Sequence, residues 1–210
     1  PADPSILREQ GTPYEAAGEA GAARPEQVEL AKKEWLEKGT DSRWFRRWFG
    51  GSVLQKDGQP IVLKHGTRDE FEEFDLDHPN RKDSGWLGTG VYLTDSDQLG
   101  RSYSLKGAGG SPVVMQLYAK LENPYYATIE DKLRLKAISD AASGTGDVYF
   151  STDKIGPRFR DKSAARVAAD EWTAELKAKG YDGVSLTYPA NKFSPETREI
   201  VVFDPAAVKS

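Results

Sequence analysis

Beyond the first two dozen residues, the apolar positions fall into two helical stretches and then a series of strands. Val28, Leu30, Ala31, Trp35 and Leu36 recur with helical spacing. Pro25 suits a first helical position and Gly39 a stop. A second helix follows in Ser42-Arg43-Trp44-Phe45-Arg46-Arg47-Trp48-Phe49. Trp44, Phe45, Trp48 and Phe49 share one face, Arg43, Arg46 and Arg47 lie off it, and Gly50-Gly51 ends it. The period then shortens. Residues 52–56 and 60–64 read as a hairpin around Asp57-Gly58. A polar loop holds Asp75, Asp77, Pro79 and Asn80. Residues 90–94 are a short strand and 95–104 a short helix; 113–121 is the strongest strand, closed by Asn123-Pro124. Helices are expected near 129–142 and 163–179, separated by Asp147-Val148-Tyr149-Phe150, with Gly180 ending the second. Strands at 184–187 and 199–203 follow, the last stopped by Asp204-Pro205. No internal repeat is visible. Strands scattered among helices, with hairpin signals, predict an α+β domain and not a regular βαβ array.

Residues 1–24 are rich in Ala, Gly, Glu and Pro and carry no sustained period. They read as a linker or tether, leaving 25–210 as one catalytic-sized domain that includes the helices at 25–50. The amino-terminal stretch is too polar for a signal peptide, and the chain begins at Pro1 and not Met, so it is expected to be a piece of a longer protein. A monomeric domain of that protein is expected.

Composition narrows the chemistry. There are no cysteines, which excludes a disulfide scaffold, a thiolate metal site and a cysteine nucleophile. The only two histidines, His65 and His78, cannot make a histidine-rich metal site, and no metal is expected. No apolar run approaches the roughly 20 residues that span a bilayer, so no membrane partner is expected. A net charge of −4 gives no general attraction to nucleic acid, although a local basic patch would suffice.

Taken one at a time, the polar candidates are bland. The glycines in Gly85-Trp86-Leu87-Gly88-Thr89-Gly90 invite a phosphate-loop reading, but a loop precedes them and a strand follows, the reverse of a dinucleotide fingerprint. A flexible loop entering a strand is the better expectation. His65 alone reads as a histidine hydrogen-bonded at a strand end, Tyr92 as core, and Glu199 as a solvated edge residue.

Their order changes that judgement. His65-Gly66-Thr67, then Gly88-Thr89-Gly90-Val91-Tyr92-Leu93-Thr94, then Glu199-Ile200-Val201-Val202-Phe203 resemble the three strands of the diphtheria-toxin-like and poly(ADP-ribose)-polymerase-like transferases, whose signature is His, Tyr, Glu in chain order. Tyr103 falls where the polymerase group has its second tyrosine. Trp48-Phe49-Gly50 through Gln59-Pro60-Ile61-Val62-Leu63-Lys64-His65-Gly66-Thr67 is similar to the transferase domains of phage polyvalent and polymorphic-toxin proteins. So are Gly180-Tyr181-Asp182-Gly183-Val184, Val202-Phe203-Asp204-Pro205 and Val208-Lys209-Ser210. The resemblance covers roughly residues 42–210.

What the resemblance implies is a split β-sheet core around an NAD cleft, with peripheral helices. NAD is the implied co-substrate, and no metal is needed. Glu199, His65 and Tyr92 are the implied catalytic set; His65, Gly66, Thr67, Tyr92 and Tyr103 are the implied NAD-binding set. The chemistry suits these residue types. Two tyrosine faces can sandwich a flat cationic ring. A glycine lets its own backbone approach a carboxamide. His65 can bond a ribose hydroxyl, Thr67 can touch the adenosine ribose, and a carboxylate beside the sugar interacts more strongly as positive charge develops there.

The implied activity is mono-ADP-ribosyl transfer to a macromolecule with nicotinamide release, as a toxin, effector or phage-delivered domain acting in the cytoplasm of a target or host cell. NAD glycohydrolase action and an idle NAD or ADP-ribose binding module are the alternatives. Departures from the family patterns refine the expectation. Thr197 stands where arginine-directed relatives place a second Glu or Gln, and Gly100 where the polymerase group often has a carboxamide-binding Ser, with Ser102 and Ser104 nearby. A protein acceptor therefore ranks ahead of RNA or DNA, and an arginine acceptor ranks low. An immunity or antitoxin protein is a further expected partner. The arginines at 43–49 and those in 154–166 are candidates for an anionic partner; for the first stretch, a helix packed by its aromatic face with solvated arginines ranks higher.

Overall fold

A computed structural model describes residues 25–68, 71, 73–78, 85–106, 110–142, 162–192 and 194–209. The expected tether at 1–24, the residues 147–150, the arginines at 158 and 160, Pro79, Asn80 and Ser210 lie outside them.

Two helices come first, α1 (Pro25–Lys38) and α2 (Arg43–Phe49). The Ser42 hydroxyl caps α2 by accepting from the Phe45 amide at 3.3 Å. The expected hairpin arms shorten to β1 (Gln55–Lys56) and β2 (Gln59–Pro60) around a turn with Asp57 at φ 52 and Gly58 at φ 76. Pro60 has no N–H to continue a ladder, so the main strand restarts as β3 (Leu63–Thr67). β4 (Val91–Thr94), α3 (Asp97–Ser104), β5 (Val113–Ala119), α4 (Ile129–Ala142), α5 (Lys162–Ala178), β7 (Gly183–Tyr188) and β8 (Thr197–Val202) match the expected elements within a few residues. Two strands differ from expectation. Asn123-Pro124 does not end the strand region but opens β6 (Pro124–Ala127), with the proline as its first residue, and the carboxyl end forms β9 (Val208–Lys209).

Seven of the strands form one sheet in the order β6-β7-β8-β4-β3-β5-β9, antiparallel except for β6 on β7. The sheet is weakest in its middle. β3 pairs with β5 at five positions, from Leu63↔Leu117 to Thr67↔Val113, and β4 with β8 at four, yet β3 and β4 meet only at Lys64↔Thr94. Among the described residues the sheet therefore consists of two halves whose strand pairing narrows to that one position, an α+β fold with a split core.

Strand alternation sends successive residues to opposite cores. Ile200 and Val202 join Val91, Leu93, Leu63 and Leu117 on one face, covered by Trp35 of α1 and Phe45, Trp48 and Phe49 of α2. Val201 joins Val184 and Leu186 on the other, covered by Leu135 of α4 and Trp172 and Leu176 of α5. The α2 arginines point away and are exposed, and Arg43 and Arg46 pair with Glu34 and Asp41. This is the solvated arrangement ranked first from the sequence.

Phe45 centres the aromatic cluster. It stacks on Trp35 and Phe49 at 5.5 and 5.4 Å and meets Trp48 and Tyr118 edge-on at 5.4 and 5.0 Å. Phe45→Ala is expected to cost about 3–5 kcal/mol in urea unfolding, the scale for truncating a buried aromatic residue. A loss below about 1 kcal/mol would show that α1 and α2 are peripheral to the fold.

Candidate functional site

The two ends of β8 differ in chemistry. Its last three residues are fully buried and apolar, whereas Glu199 is a carboxylate only 3% exposed. Register fixes its place: Glu199 pairs with Thr94 of β4 on one side and Leu186 of β7 on the other. Side chains tighten that seam. Asp95 accepts from the Arg198 amide and its Nε, each at 2.8 Å, and the Thr94 hydroxyl donates to the Arg198 carbonyl at 2.7 Å. Glu199 is thus a buried central-strand residue and not the solvated edge residue that its isolated sequence position suggested.

A buried carboxylate needs donors. The Tyr103 hydroxyl of α3 donates to Oε1 at 2.6 Å. Lys132 Nζ of α4 and the Tyr188 hydroxyl of β7 both donate to Oε2, each at 2.6 Å. Lys132 also donates to the Tyr188 hydroxyl. Burial pushes the Glu199 carboxyl upward, but the charge of Lys132 and hydrogen bonds from Lys132, Tyr103 and Tyr188 outweigh it and hold the group below its ordinary value. Tyr188 moves the other way: burial, and then the adjacent Glu199 charge, raise its hydroxyl well above the usual tyrosine range. Lys106 lies over the Tyr103 ring at 4.0 Å, and Lys132 and Lys136 lie over the Trp86 ring at 5.9 and 5.4 Å.

Local structure explains how these groups arrive. α4 opens on a reciprocal cap in which the Thr128 amide donates to Asp131 at 2.9 Å and the Asp131 amide to the Thr128 hydroxyl at 3.2 Å. Lys132 is the next residue, so that cap sets its direction. α3 lies so close on β3 that a Cβ on Gly66 would sit 2.0 Å from the Gly100 carbonyl and 2.8 Å from the Tyr103 Cβ. A Cβ on Gly100 would sit 2.9 Å from that of Lys64. Both glycines are needed for this approach, which brings Tyr103 onto Glu199. Ser102 and Ser104 donate to carbonyls of their own helix, those of Leu99 and Arg101.

His65 marks the split in the sheet. Its Nδ1 lies 2.8 Å from the Tyr92 carbonyl, so a side chain, not a strand amide, bridges β3 to β4 there. A carbonyl only accepts, so Nδ1 carries the proton, and in the neutral ring Nε2 is an acceptor. Phe71 and Phe74 meet the imidazole edge-on at 5.9 and 5.0 Å. Thr67 ends β3, where it pairs with Val113.

Tyr92 shares its sheet face with Glu199 through the pairs Tyr92↔Val201 and Thr94↔Glu199. Its hydroxyl, however, turns to the preceding loop, accepting from the Leu87 amide at 3.0 Å and donating to the Gly88 carbonyl at 2.7 Å. That loop is not the loose segment expected. Thr89 donates its amide to the Thr173 hydroxyl at 2.7 Å and its own hydroxyl to Asp170, both on α5, and Leu87 is fully buried. Gly88 has φ 89, and a Cβ there would lie 2.6 Å from the Thr173 hydroxyl.

Of the residues named from the sequence, Tyr103 and Glu199 are in direct contact, Gly66 lies beneath Tyr103, and His65 connects to Tyr92 through the main chain. Lys132 and Tyr188 were not foreseen. Lys132 sits on a helix whose apolar residues include the exposed Leu133 and Ile138, so no clean stripe marks an inward lysine. No metal-holding group of three or more His, Cys, Asp or Glu occurs among the described residues, and no helix there is long and apolar enough to cross a membrane.

No curated protein matches the chain. A family model described as ADP-ribosyltransferase in polyvalent proteins matches residues 55–210, from the first hairpin strand through the three motif strands to the carboxyl end. With three quarters of its length matched and a split sheet carrying His65, Tyr92 and Glu199 in that order, the chain belongs to the ADP-ribosyltransferase family of polyvalent proteins.

Proposed function

We propose that this domain cleaves the nicotinamide–ribose bond of NAD and transfers ADP-ribose to a macromolecular acceptor, with Glu199 as the group that stabilises the reacting sugar. The observation that carries the reading is a buried carboxylate, held ionised and fixed by hydrogen bonds on a central strand. NAD as substrate supplies a cationic nicotinamide that leaves as a neutral ring with the electron pair of the broken bond. The acceptor forms a new bond to the same ribose carbon and gives up a proton. As the sugar gains positive charge, its attraction to the Glu199 carboxylate grows, which lowers the barrier and not merely the binding energy.

The remaining residues fit the same substrate. The Tyr103 Cβ lies against Gly66, where the β3 ladder to β4 has already stopped, and Lys106 lies over the Tyr103 ring; the ring suits a flat partner and the main-chain groups there a carboxamide. Nε2 of His65 suits a ribose hydroxyl donor. Tyr92 serves from below, its hydroxyl fixing the 87–88 turn and its ring packed on the second core. The acceptor is proposed to be a protein group without permanent positive charge. Thr197 is buried and its hydroxyl donates to the Pro195 carbonyl, so no carboxylate stands there to orient a guanidinium. We further propose delivery as a toxin or effector part of a larger phage or secreted protein, acting inside a target cell; the family description supports the polyvalent-protein setting alone.

Glu199→Gln keeps size and removes the charge. Nicotinamide release is expected to fall at least ~100-fold with NAD affinity largely kept, and near-normal turnover in the folded variant would sink the assignment. His65→Ala and Tyr103→Ala are each expected to weaken NAD binding in calorimetry, the first by loss of a hydrogen bond and the second by loss of a ring face. Tyr103→Phe keeps the face and is expected to bind NAD better than Tyr103→Ala; equal affinities across all three variants and the parent would reject this cleft.

Labelled NAD in a cell lysate separates transfer from hydrolysis. Label is expected in macromolecules, sensitive to protease and resistant to nuclease, and mass spectrometry is expected to place it off arginine. Release of free ADP-ribose alone would make the domain a glycohydrolase, and a modified guanidinium would overturn the reading of Thr197.

A further inference from the structure

The two oxygens of Glu199 are not equivalent. Oε2 takes two donors, Lys132 Nζ and the Tyr188 hydroxyl, while Oε1 takes one, the Tyr103 hydroxyl. An ionised carboxylate oxygen accepts about two hydrogen bonds in its plane. Oε2 is therefore full and Oε1 has one acceptor site left. Resting on the transferase reading above, we propose that Lys132 and Tyr188 are positioning residues that fill Oε2 and fix the carboxylate plane, so that Oε1 is the atom that accepts the substrate's sugar hydroxyl.

The geometry has the parts such a device needs. Lys132 reaches from α4 and Tyr188 from β7, so the carboxylate is gripped from two elements besides its own strand. Lys132 donates to the Tyr188 hydroxyl, which leaves that hydroxyl's proton for Oε2 and gives the chain of bonds one direction. The Lys132 side chain is only 19% exposed, so its pull on the buried Glu199 is less screened than that of a surface pair. Charged and titratable groups facing the carboxylate are Tyr103 and Lys106 from the α3 side, Lys132 from α4 and Tyr188 from β7. Lys132 stands first among the influences that hold Glu199 ionised against its burial. A carboxylate plane turned away from these two donors would no longer aim the remaining acceptor direction of Oε1 at the sugar, so the filling of Oε2 is a matter of catalysis as well as charge.

Two readouts test this in the full chain. The first is the titration of the Glu199 side-chain carboxyl by carbon NMR, identified as the resonance missing in Glu199→Gln; it needs no substrate. The second is the pH profile of nicotinamide release. Glu199 must be ionised to act, and its folded value is lowered. Activity is therefore kept down to the folded value and lost as pH falls through it. Lys132→Met removes the lowering charge while burial remains, so the carboxyl titration and the acid limb are both expected to rise by about 1–3 pH units, the effect of an adjacent opposite charge. Lys132→Arg is expected to restore most of that shift. Tyr188→Phe keeps the ring and frees one site on Oε2. It is expected to lower kcat about 10-fold or more, the order for a positioned hydrogen bond at a reacting centre, with the KM for NAD unchanged.

A Lys132→Met carboxyl that titrates as in the parent overturns the positioning role. So does a Tyr188→Phe enzyme that loses only NAD affinity. Should Lys132→Met not fold, Lys132→Arg and Tyr188→Phe carry the same test through the KM-against-kcat split. Failure of the parent protein to release nicotinamide overturns the transferase reading itself, a result distinct from either of these.

Discussion

A carboxylate on the most deeply buried strand of the sheet is the constraint that the site is built around. Glu199 precedes Ile200, Val201 and Val202, none of which touches solvent. An ionised group there without partners would cost several kcal/mol even after relaxation. The donors that remove this cost come from three different elements, α3, α4 and β7, so each must sit where its tyrosine or lysine reaches. Much else follows from that requirement. Gly66 and Gly100 let α3 lie on β3, the Thr128–Asp131 cap starts α4 at the right residue, and Asp95 clamps Arg198 beside the carboxylate.

The short sequence motifs divide between chemistry and scaffolding. Gly180-Tyr181-Asp182-Gly183-Val184 belongs to the scaffold. Asp182 accepts from the amides of Glu122 and Asn123 at 2.6 and 3.1 Å and ties the start of β7 to the corner before β6. Gly183 has no room for a Cβ, which would lie 2.4 Å from the Val201 carbonyl. Asp204 caps the turn after β8, accepting from the Ala206 amide at 3.0 Å, and so returns the chain to pair Val208 and Lys209 with β5. His65 does both jobs at once. Its Nδ1 stitches the split in the sheet, and that same bond makes Nε2 the acceptor nitrogen of the neutral ring.

Helices and strands were legible in the sequence because the apolar period is strong and the stops are chemically plain, as with Gly39, Gly50 and Gly180. The errors have physical causes. β6 is a strand begun by a proline, which at a first strand position forfeits no needed bond. β9 is two residues long, too short for any period to register. The 85–90 loop reads as loose because its glycines are visible and its fasteners, Asp170 and Thr173, lie on a helix some eighty residues later. The same limit hid two of the residues around Glu199. His65, Tyr92, Tyr103 and Glu199 were singled out by the resemblance of their short motifs, in chain order, to the transferase strands. Lys132 and Tyr188 meet Glu199 only through tertiary packing, and neither stands in a local pattern that sets it apart from a surface lysine or a strand-end tyrosine.

Stability gives no reason for the polar cluster around Glu199. Buried ion pairs contribute little net folding energy, and apolar side chains of similar volume would often hold the same elements together as well or better. The opposite face of the sheet shows how: there Val91, Leu93, Ile200 and Val202 pack with Trp48 and Phe49 in one apolar cluster, with no carboxylate among its members. Alternation along β8 sends Glu199 and Val201 to one side and Ile200 to the other, and only the side facing α3 and α4 spends its burial on a carboxylate, an ammonium and two hydroxyls. A module that merely packed, or merely gripped a ligand by apolar contact, would have no use for that arrangement. A site that must meet positive charge growing on a sugar does, because a fixed, ionised and partly desolvated carboxylate needs little reorganisation at the moment the charge appears.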